Sequence, residues 1–304
     1  MQSIIKRKDK LISLLFLSTT ATLFILLLLF PTYFKESTRA TLYMLINSVI
    51  PSLFSFIVIS KIIVSSGLVY LVSKIISRPF TAITGLPPSA SGVFLMSFLT
   101  SYPTGAVGAV DLYREGELTH DEAQSLIAVC NNTGPALPVM IIAAGKPYGW
   151  WLYIIHILSA VITAFVMKKD HPKYEWDGYR EYKSSYIKVL TSSVRETLSV
   201  TALLCAYVVF FSFVTDALSL LSVSPALFSF LEIVSGSAML TVSTPISFVI
   251  LASALSFGGI CIHMQTSAVC APYGFSMKPH FKAKVLAGII SALFACVYVI
   301  ISTL

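Results

Sequence analysis

The chain has 304 residues, of which 56% are hydrophobic and only 12% charged, with a formal net charge of +7 and a mean hydropathy of +0.83. A soluble domain carries roughly 25% charged residues, so lipid is the main solvent of this chain. A soluble nucleic-acid binder is excluded despite the positive charge, because the basic residues sit at the ends of apolar segments; there they report membrane orientation.

Taken in order, Lys6, Arg7, Lys8 and Lys10 precede an apolar run from Leu11 to Phe30. A run of about 20 residues has the length of a helix that crosses ~30 Å of hydrocarbon. Pro31-Thr32-Tyr33 follows, with no small-residue cleavage pattern. Residues 1–40 are therefore expected to hold an uncleaved transmembrane helix with a cytoplasmic N-terminus, then a short external loop at Lys35, Glu36 and Arg39. Residues 41–64 read as a second span with Pro51 near its middle, and Lys61 near its end is expected to snorkel. Gly67 to Leu86 carries Lys74 and Arg78 at helical spacing among apolar residues, the pattern of a helix lying along the membrane surface.

Gly92 to Gly145 holds two apolar runs, each broken at mid-length. The first break is Ser101-Tyr102-Pro103-Thr104-Gly105, and the second is Asn131-Asn132-Thr133-Gly134-Pro135. Freed backbone groups find no water in lipid, so such breaks are tolerated where they line a cavity or pack on protein. Paired broken helices point to a transporter's substrate site. In the first break Ser101, Tyr102 and Thr104 supply hydroxyls and Gly105 permits close approach; a kinked helix packed through small residues is the competing reading. In the second, Asn131, Asn132 and Thr133 sit in an otherwise apolar run beside Gly134. Asn132 or Thr133 is expected to cap the following half-helix, whose N–H groups would face an anion. A simple membrane-surface turn would use the same residues.

A clean span, Tyr148 to Met167, opens with an aromatic belt at Trp150, Trp151 and Tyr153. Residues 168–190 are the longest polar segment, with six Lys/Arg against four Asp/Glu, which places it in the cytoplasm. Further spans follow near 197–215, 244–272 and 283–303, with a shorter apolar segment at 217–240 that includes Glu232. The third candidate site segment, Ser256 to Gln265, is broken at Gly258-Gly259 and carries His263 and Gln265 at membrane depth. Ionisable groups there are functional candidates, though a lone His is as readily satisfied by a backbone carbonyl. Glu232 is a candidate for carrying a coupling proton, with an interfacial position as the plainer alternative. His156 lies in a clean span with no sequence neighbour to partner it. Asp111 and Arg114 read as an exposed ion pair.

The halves align on a shift of 158 residues, which puts Gly116 on Gly274 and Ser101 on Gly259. The tip from Asp111 to Glu122 holds five acids against one Arg, whereas Met277 to Lys284 is basic with no acid. Opposite charge at equivalent tips is what inverted repeats give if one tip lies outside and the other inside. Parity then requires 88–115 to cross the membrane and 119–145 to turn back. The fold expected is an all-α polytopic membrane protein of two inverted-topology repeats with discontinuous helices and re-entrant segments. The repeats are assigned to 41–167 and 193–304, with 168–192 as a cytoplasmic linker.

No hydrolase, P-loop or dinucleotide motif is present, so no enzyme is expected. Five cysteines without ligand spacing suggest neither disulfide nor metal, and no cofactor is called for. Expected partners are the lipid bilayer and a small anionic solute, with no nucleic acid; a homo-oligomer is left open.

The run Ser101 to Gly105, then Leu112-Tyr113-Arg114-Glu115-Gly116, then Cys130 to Pro135, resembles the central signature of the sporulation integral membrane protein family. That family is placed in the nucleoside-recognition or Gate domain superfamily. Leu231 to Gly236, Phe257 to Gln265 and Lys278-Pro279 are similar to its later motifs. The resemblance implies a fold like that of concentrative nucleoside transporters, with a site at the midplane. It also implies a place in the cell or forespore membrane and transport of dipicolinate. A non-transporting assembly or morphogenetic protein and a nucleoside-type transporter are the alternatives.

Overall fold

The computed structural model of the chain describes residues 2–65, 68–169, 185–220, 223–240 and 244–303, so most of the expected cytoplasmic linker lies outside the described residues. Every regular element among the described residues is helical. The first helix, α1 (Gln2–Leu29), meets α2 (Pro31–Met44) at a bend of 100°. Proline suits a helix's first turn, where its missing N–H has no role. Lys35, Glu36 and Arg39 stand on α2 and not in an external loop; Glu36 and Arg39, one turn apart, pair at 3.9 Å. A widened turn, Leu45–Val49, carries the helix into α3 (Ile50–Ser65). Such a turn absorbs the backbone bond that Pro51 cannot make. In α4 (Leu68–Thr84), Ser73, Ser77, Phe80 and Thr84 are buried while Lys74, Ile75 and Arg78 are exposed. This is the one-sided stripe expected of an amphipathic helix.

There follow α5 (Ser91–Ser97), α6 (Thr104–Arg114), α7 (His120–Cys130), a helical segment Ala136–Ile142, α8 (Tyr148–Val166) and α9 (Tyr186–Ser219). The remainder is α10 (Pro225–Leu231), α11 (Ile233–Met239), α12 (Pro245–Phe257), α13 (Gly259–Cys270) and α14 (Met277–Thr303). Among the described residues four units are long and apolar enough to cross a membrane, namely α8, α9, the α12–α13 pair and α14. The bent α1–α2 pair makes a fifth. The chain is an integral membrane protein of all-helical fold.

Two separate apolar cores show how these units run. The first gathers Phe80, Phe94, Ala106, Val110, Leu118, Leu126, Ala160, Ala164, Cys270 and Ala283. The second gathers Leu45, Leu53, Ala136, Leu137, Leu152, Ile155, Leu204, Ile233, Leu251, Leu255 and Ala295. α7 therefore lies in the first core and Ala136–Ile142 in the second, so residues 119–145 run the full length of α8, antiparallel to it. α12–α13 passes from the second core to the first, and α14 returns. By contrast, α5 and α6 both stay in the first core and pack on each other, with Val93 against Gly108. They form a hairpin that enters and leaves at one end. α10 and α11 form a second hairpin, packed so closely that a side chain on Gly236 would stand 2.4 Å from the Phe228 carbonyl carbon. Its apolar residues Ile233 and Val234 belong to the second core.

These positions correct the sequence expectation in two places. The segment 88–115 folds back and 119–145 passes through, the reverse of the expected assignment. The two charged tips also lie at the same end of the molecule. Gln124 donates to the Ser276 carbonyl at 2.7 Å and accepts from the Ser276 N–H at 2.7 Å, while His120 stacks on Phe275 at 4.6 Å. The tips are thus neighbours at one end, and the alignment by 158 residues pairs units that run in the same direction.

Candidate solute-binding site

Between the two apolar cores lies a layer of buried polar side chains, and four interruptions of the helices meet in it. The first two are in direct backbone contact. A Cβ on Gly105 would stand 1.9 Å from the Cys130 carbonyl oxygen, and one on Gly134 would stand 2.5 Å from that of Thr100. Only glycine allows the two broken segments to cross so closely. The third interruption is Gly258, whose φ of +90° ends α12 in the left-handed region. Tyr102, fully buried, reaches from the first break to this one and donates to the Leu255 carbonyl at 3.0 Å. The fourth is Glu232 between α10 and α11, and the Leu231 carbonyl oxygen would lie 3.1 Å from a Cβ on Gly259.

The carboxamides of the second break tie the layer together. Asn131 donates to Thr266 Oγ1 at 2.6 Å. Asn132 donates to Ser97 Oγ at 3.0 Å and to the Val129 carbonyl at 2.9 Å, and its Oδ1 accepts from Lys284 Nζ at 3.0 Å. The expected capping role is not what these residues do. Pro135 occupies the cap position of the 136–142 segment with no side-chain cap, and Thr133 Oγ1 donates to the Gly134 carbonyl at 3.3 Å. The Thr133 N–H donates to His156 Nε2 at 3.3 Å, so that group is not free for an anion. An imidazole that accepts at Nε2 carries its proton on Nδ1, and His156 Nδ1 accordingly donates to Ser256 Oγ at 3.0 Å. His156 therefore has partners from two distant segments and pins the second break to the third.

Of the other sequence candidates, Ser101 and Thr104 remain at the first break, where Thr104 Oγ1 donates to the Ser101 carbonyl at 2.5 Å. His263 is nearly buried with neither ring nitrogen hydrogen-bonded, and Gln265 donates to Cys261 Sγ while its Oε1 has no partner. Glu232 does not pair with His263. Its carboxylate accepts from Val234 N at 3.0 Å, Ser235 N at 2.5 Å and Ser235 Oγ at 2.6 Å, which fixes the hairpin turn by capping α11. Asp111 and Arg114 form the expected exposed pair at 3.4 Å. Lys61 does not simply snorkel: it pairs with Glu196 at 2.5 Å. Both line a cavity of about 70 Å³ with Asp111, Ser97, Thr100, Thr104 and Gly105. Ser97 is thus shared between this cavity and the hydrogen bond to Asn132.

Sequence reasoning missed Lys284 and His280, which it took as part of a solvent-facing basic tip. In the fold both lie on the buried stripe of α14 with Ala287, Ser291 and Ala295. Their spacing from His280, four, seven, eleven and fifteen residues, was the available signal. Lys284 is 3% exposed, and no carboxylate pairs with it among the described residues. Lys284 is eight residues into α14 and buried in protein, and a buried charge without an opposite partner is costly to keep. All five cysteines are free, and no group of three metal-ligating side chains occurs among the described residues.

Comparison with known proteins finds one informative relative. The chain is 22% identical over 335 aligned residues to the Sporulation integral membrane protein YlbJ of Bacillus subtilis (strain 168), covering 93% of this chain and 81% of that protein. No family model matches, and no solved structure matches. The relationship to sporulation integral membrane proteins suggested by the motifs is therefore shown by homology along nearly the whole chain.

Proposed function

We propose, for a chain homologous to a sporulation integral membrane protein, that it is a secondary carrier or facilitator of a small anionic metabolite, with dipicolinate as the solute during spore formation. The observation that carries this reading is the meeting of four helix breaks in one buried polar layer between two apolar cores. Broken helices that converge at mid-depth supply backbone and side-chain polar groups where lipid allows none elsewhere. The two hairpins add a means of access. α5–α6 reaches the layer from one end and α10–α11 lies in the other core, so displacing one hairpin opens the layer to one side only.

The same elements support an inverted-repeat reading with a different pairing from the one the tips suggested. The α5–α6 hairpin pairs with α10–α11, the broken unit α7 plus 136–142 with α12–α13, and α8 with α14. In this pairing α7 packs on α14 as α12 packs on α8, which a two-fold axis in the membrane plane would require. The relation to the nucleoside-recognition superfamily and the binding role of Ser101, Tyr102, Thr104, Asn131, Asn132, Thr133, His263 and Gln265 belong to this proposal, as does a coupling role for Glu232. The end that carries the 168–190 segment is taken as cytoplasmic.

The test is uptake of labelled dipicolinate and of nucleosides by the purified chain in liposomes. Wild type is expected to move dipicolinate, and Asn132→Ala, which unties Ser97 from Lys284, is expected to abolish uptake without loss of membrane insertion. If wild type moves none of these solutes, and Asn132→Ala supports sporulation as well as wild type does, the carrier reading is wrong and a scaffold role takes its place.

A further inference from the structure

At one point of the polar layer several groups with unspent hydrogen-bonding capacity come together. Lys284 Nζ has three donors, and one is taken by Asn132 Oδ1 at 3.0 Å. The ring of Tyr102 lies 5.5 Å from the ammonium, a cation–π contact on one side. His280, one turn before Lys284 on the same face of α14, holds the Ile127 carbonyl with Nδ1 at 3.2 Å and leaves Nε2 unpartnered. His263 stands across from it at 5.1 Å between ring centres, with both nitrogens unpartnered. Phe257 and Phe281 flank His263 at 4.7 and 5.2 Å. His280 and Lys284 are at most 3% exposed and His263 is 8% exposed. Buried polar groups in native proteins are nearly always satisfied, and a buried cation is kept where a partner of opposite charge visits.

We propose that Lys284, with the N–H of His263, is the subsite that binds the carboxylate of the transported solute and selects anions over neutral molecules of the same shape. The two remaining Lys284 donors and the single N–H that a neutral His263 carries supply three hydrogen bonds, which one carboxylate accepts on its two oxygens. Phe257 and Phe281 provide apolar walls for a flat ring behind that carboxylate. The donor set favours a small aromatic or planar carboxylate and gives no reason to hold an uncharged nucleoside. The cavity at Ser97, Thr100, Thr104 and Gly105 is linked to Lys284 by hydrogen bonds through the Asn132 side chain. This inference rests on the carrier reading for its solute, but it concerns charge selection and is tested by binding.

The full-length chain, purified in detergent, is titrated with pyridine-2,6-dicarboxylate and with its neutral diamide, following thermal stabilisation and calorimetric heat. Wild type is expected to prefer the dianion by at least about tenfold, the worth of one or two charge-assisted hydrogen bonds. Lys284→Met is expected to lose that preference, and Lys282→Met, which removes an exposed lysine half a turn away, is expected to keep it. Should Lys284→Met fail to fold, His263→Phe serves in its place and is expected to weaken dianion binding while leaving diamide binding unchanged. A variant at Lys284 that folds and retains the wild-type preference overturns the inference, even if uptake in liposomes upholds the carrier reading. Absence of dianion preference in wild type overturns it as well. Binding with charge preference but no uptake by wild type would instead sink the carrier reading and leave the subsite standing.

Discussion

The crossing of the first two breaks makes a sharp prediction at Gly105. An alanine there would place its Cβ 1.9 Å from the Cys130 carbonyl oxygen and 2.8 Å from its carbon. Ordinary contact between carbon and oxygen needs about 3.3 Å, so the two backbones must part by roughly 1.4 Å. The displaced carbonyl also accepts from Asn132 N at 3.1 Å, and Cys130 Sγ donates back to the Gly105 carbonyl at 3.2 Å. Overpacking of this kind costs about 1–3 kcal/mol, and loss of one of these hydrogen bonds adds about 1 kcal/mol. A destabilisation on the order of 3 kcal/mol lowers the melting temperature by roughly 6 °C or more, taking about 2–4 °C per kcal/mol for a chain larger than a small domain. The assay is thermal unfolding in detergent beside dipicolinate uptake. Gly116→Ala is the control, since its φ of +73° brings left-handed strain while nothing lies within 4 Å of the added carbon. That strain is worth about 1–2 kcal/mol. If Gly105→Ala melts with wild type, or no lower than Gly116→Ala, the two breaks do not touch as described.

Two other predictions follow from the same geometry. With native cysteines replaced, single cysteines at Gly116 and Gly274 should be labelled by an impermeant maleimide from the same side of sealed vesicles; labelling from opposite sides would refute the placement of both tips at one end. His156→Phe should destabilise the chain by about 1–3 kcal/mol, because it strands the buried Thr133 N–H and the Ser256 hydroxyl, and a melting temperature equal to wild type would show that His156 does not hold the second break to the third.

The positions of the breaks were legible in the sequence because proline, glycine and paired carboxamides are conspicuous in apolar runs. Their destination was not, since nothing in Ser101 to Gly105 or Asn131 to Pro135 distinguishes a hairpin turn from a break in a through-going helix. The segment lengths point the wrong way: 88–115 is long enough to cross but is spent on two short antiparallel pieces, α5 and α6. What decides the matter is tertiary, because Val93 meets Gly108 and Ala136 joins the second core. Charge misled for a related reason. The acidic and basic tips looked like opposite faces of a membrane under an orientation rule, yet complementary charges also suit two neighbours at one face, and Gln124 and Ser276 show that they are neighbours.

Lys284 shows where a charge-counting reading of an end segment stops. Lys278, Lys282 and Lys284 stand close together in the sequence, and a basic cluster before an apolar helix reads as a solvated flank. Helical geometry separates them, because Lys278 and Lys282 are not buried whereas Lys284, on the stripe of Ala287 and Ser291, faces the polar layer. The same helix thus places two lysines where they suit the membrane surface and a third where it is costly to keep. Snorkelling would have removed that cost at a site so near the helix start, but the side chain instead holds Asn132, which itself holds Ser97 at the cavity wall. A lysine used only for orientation would need none of these contacts, so topology alone does not account for its place in the layer.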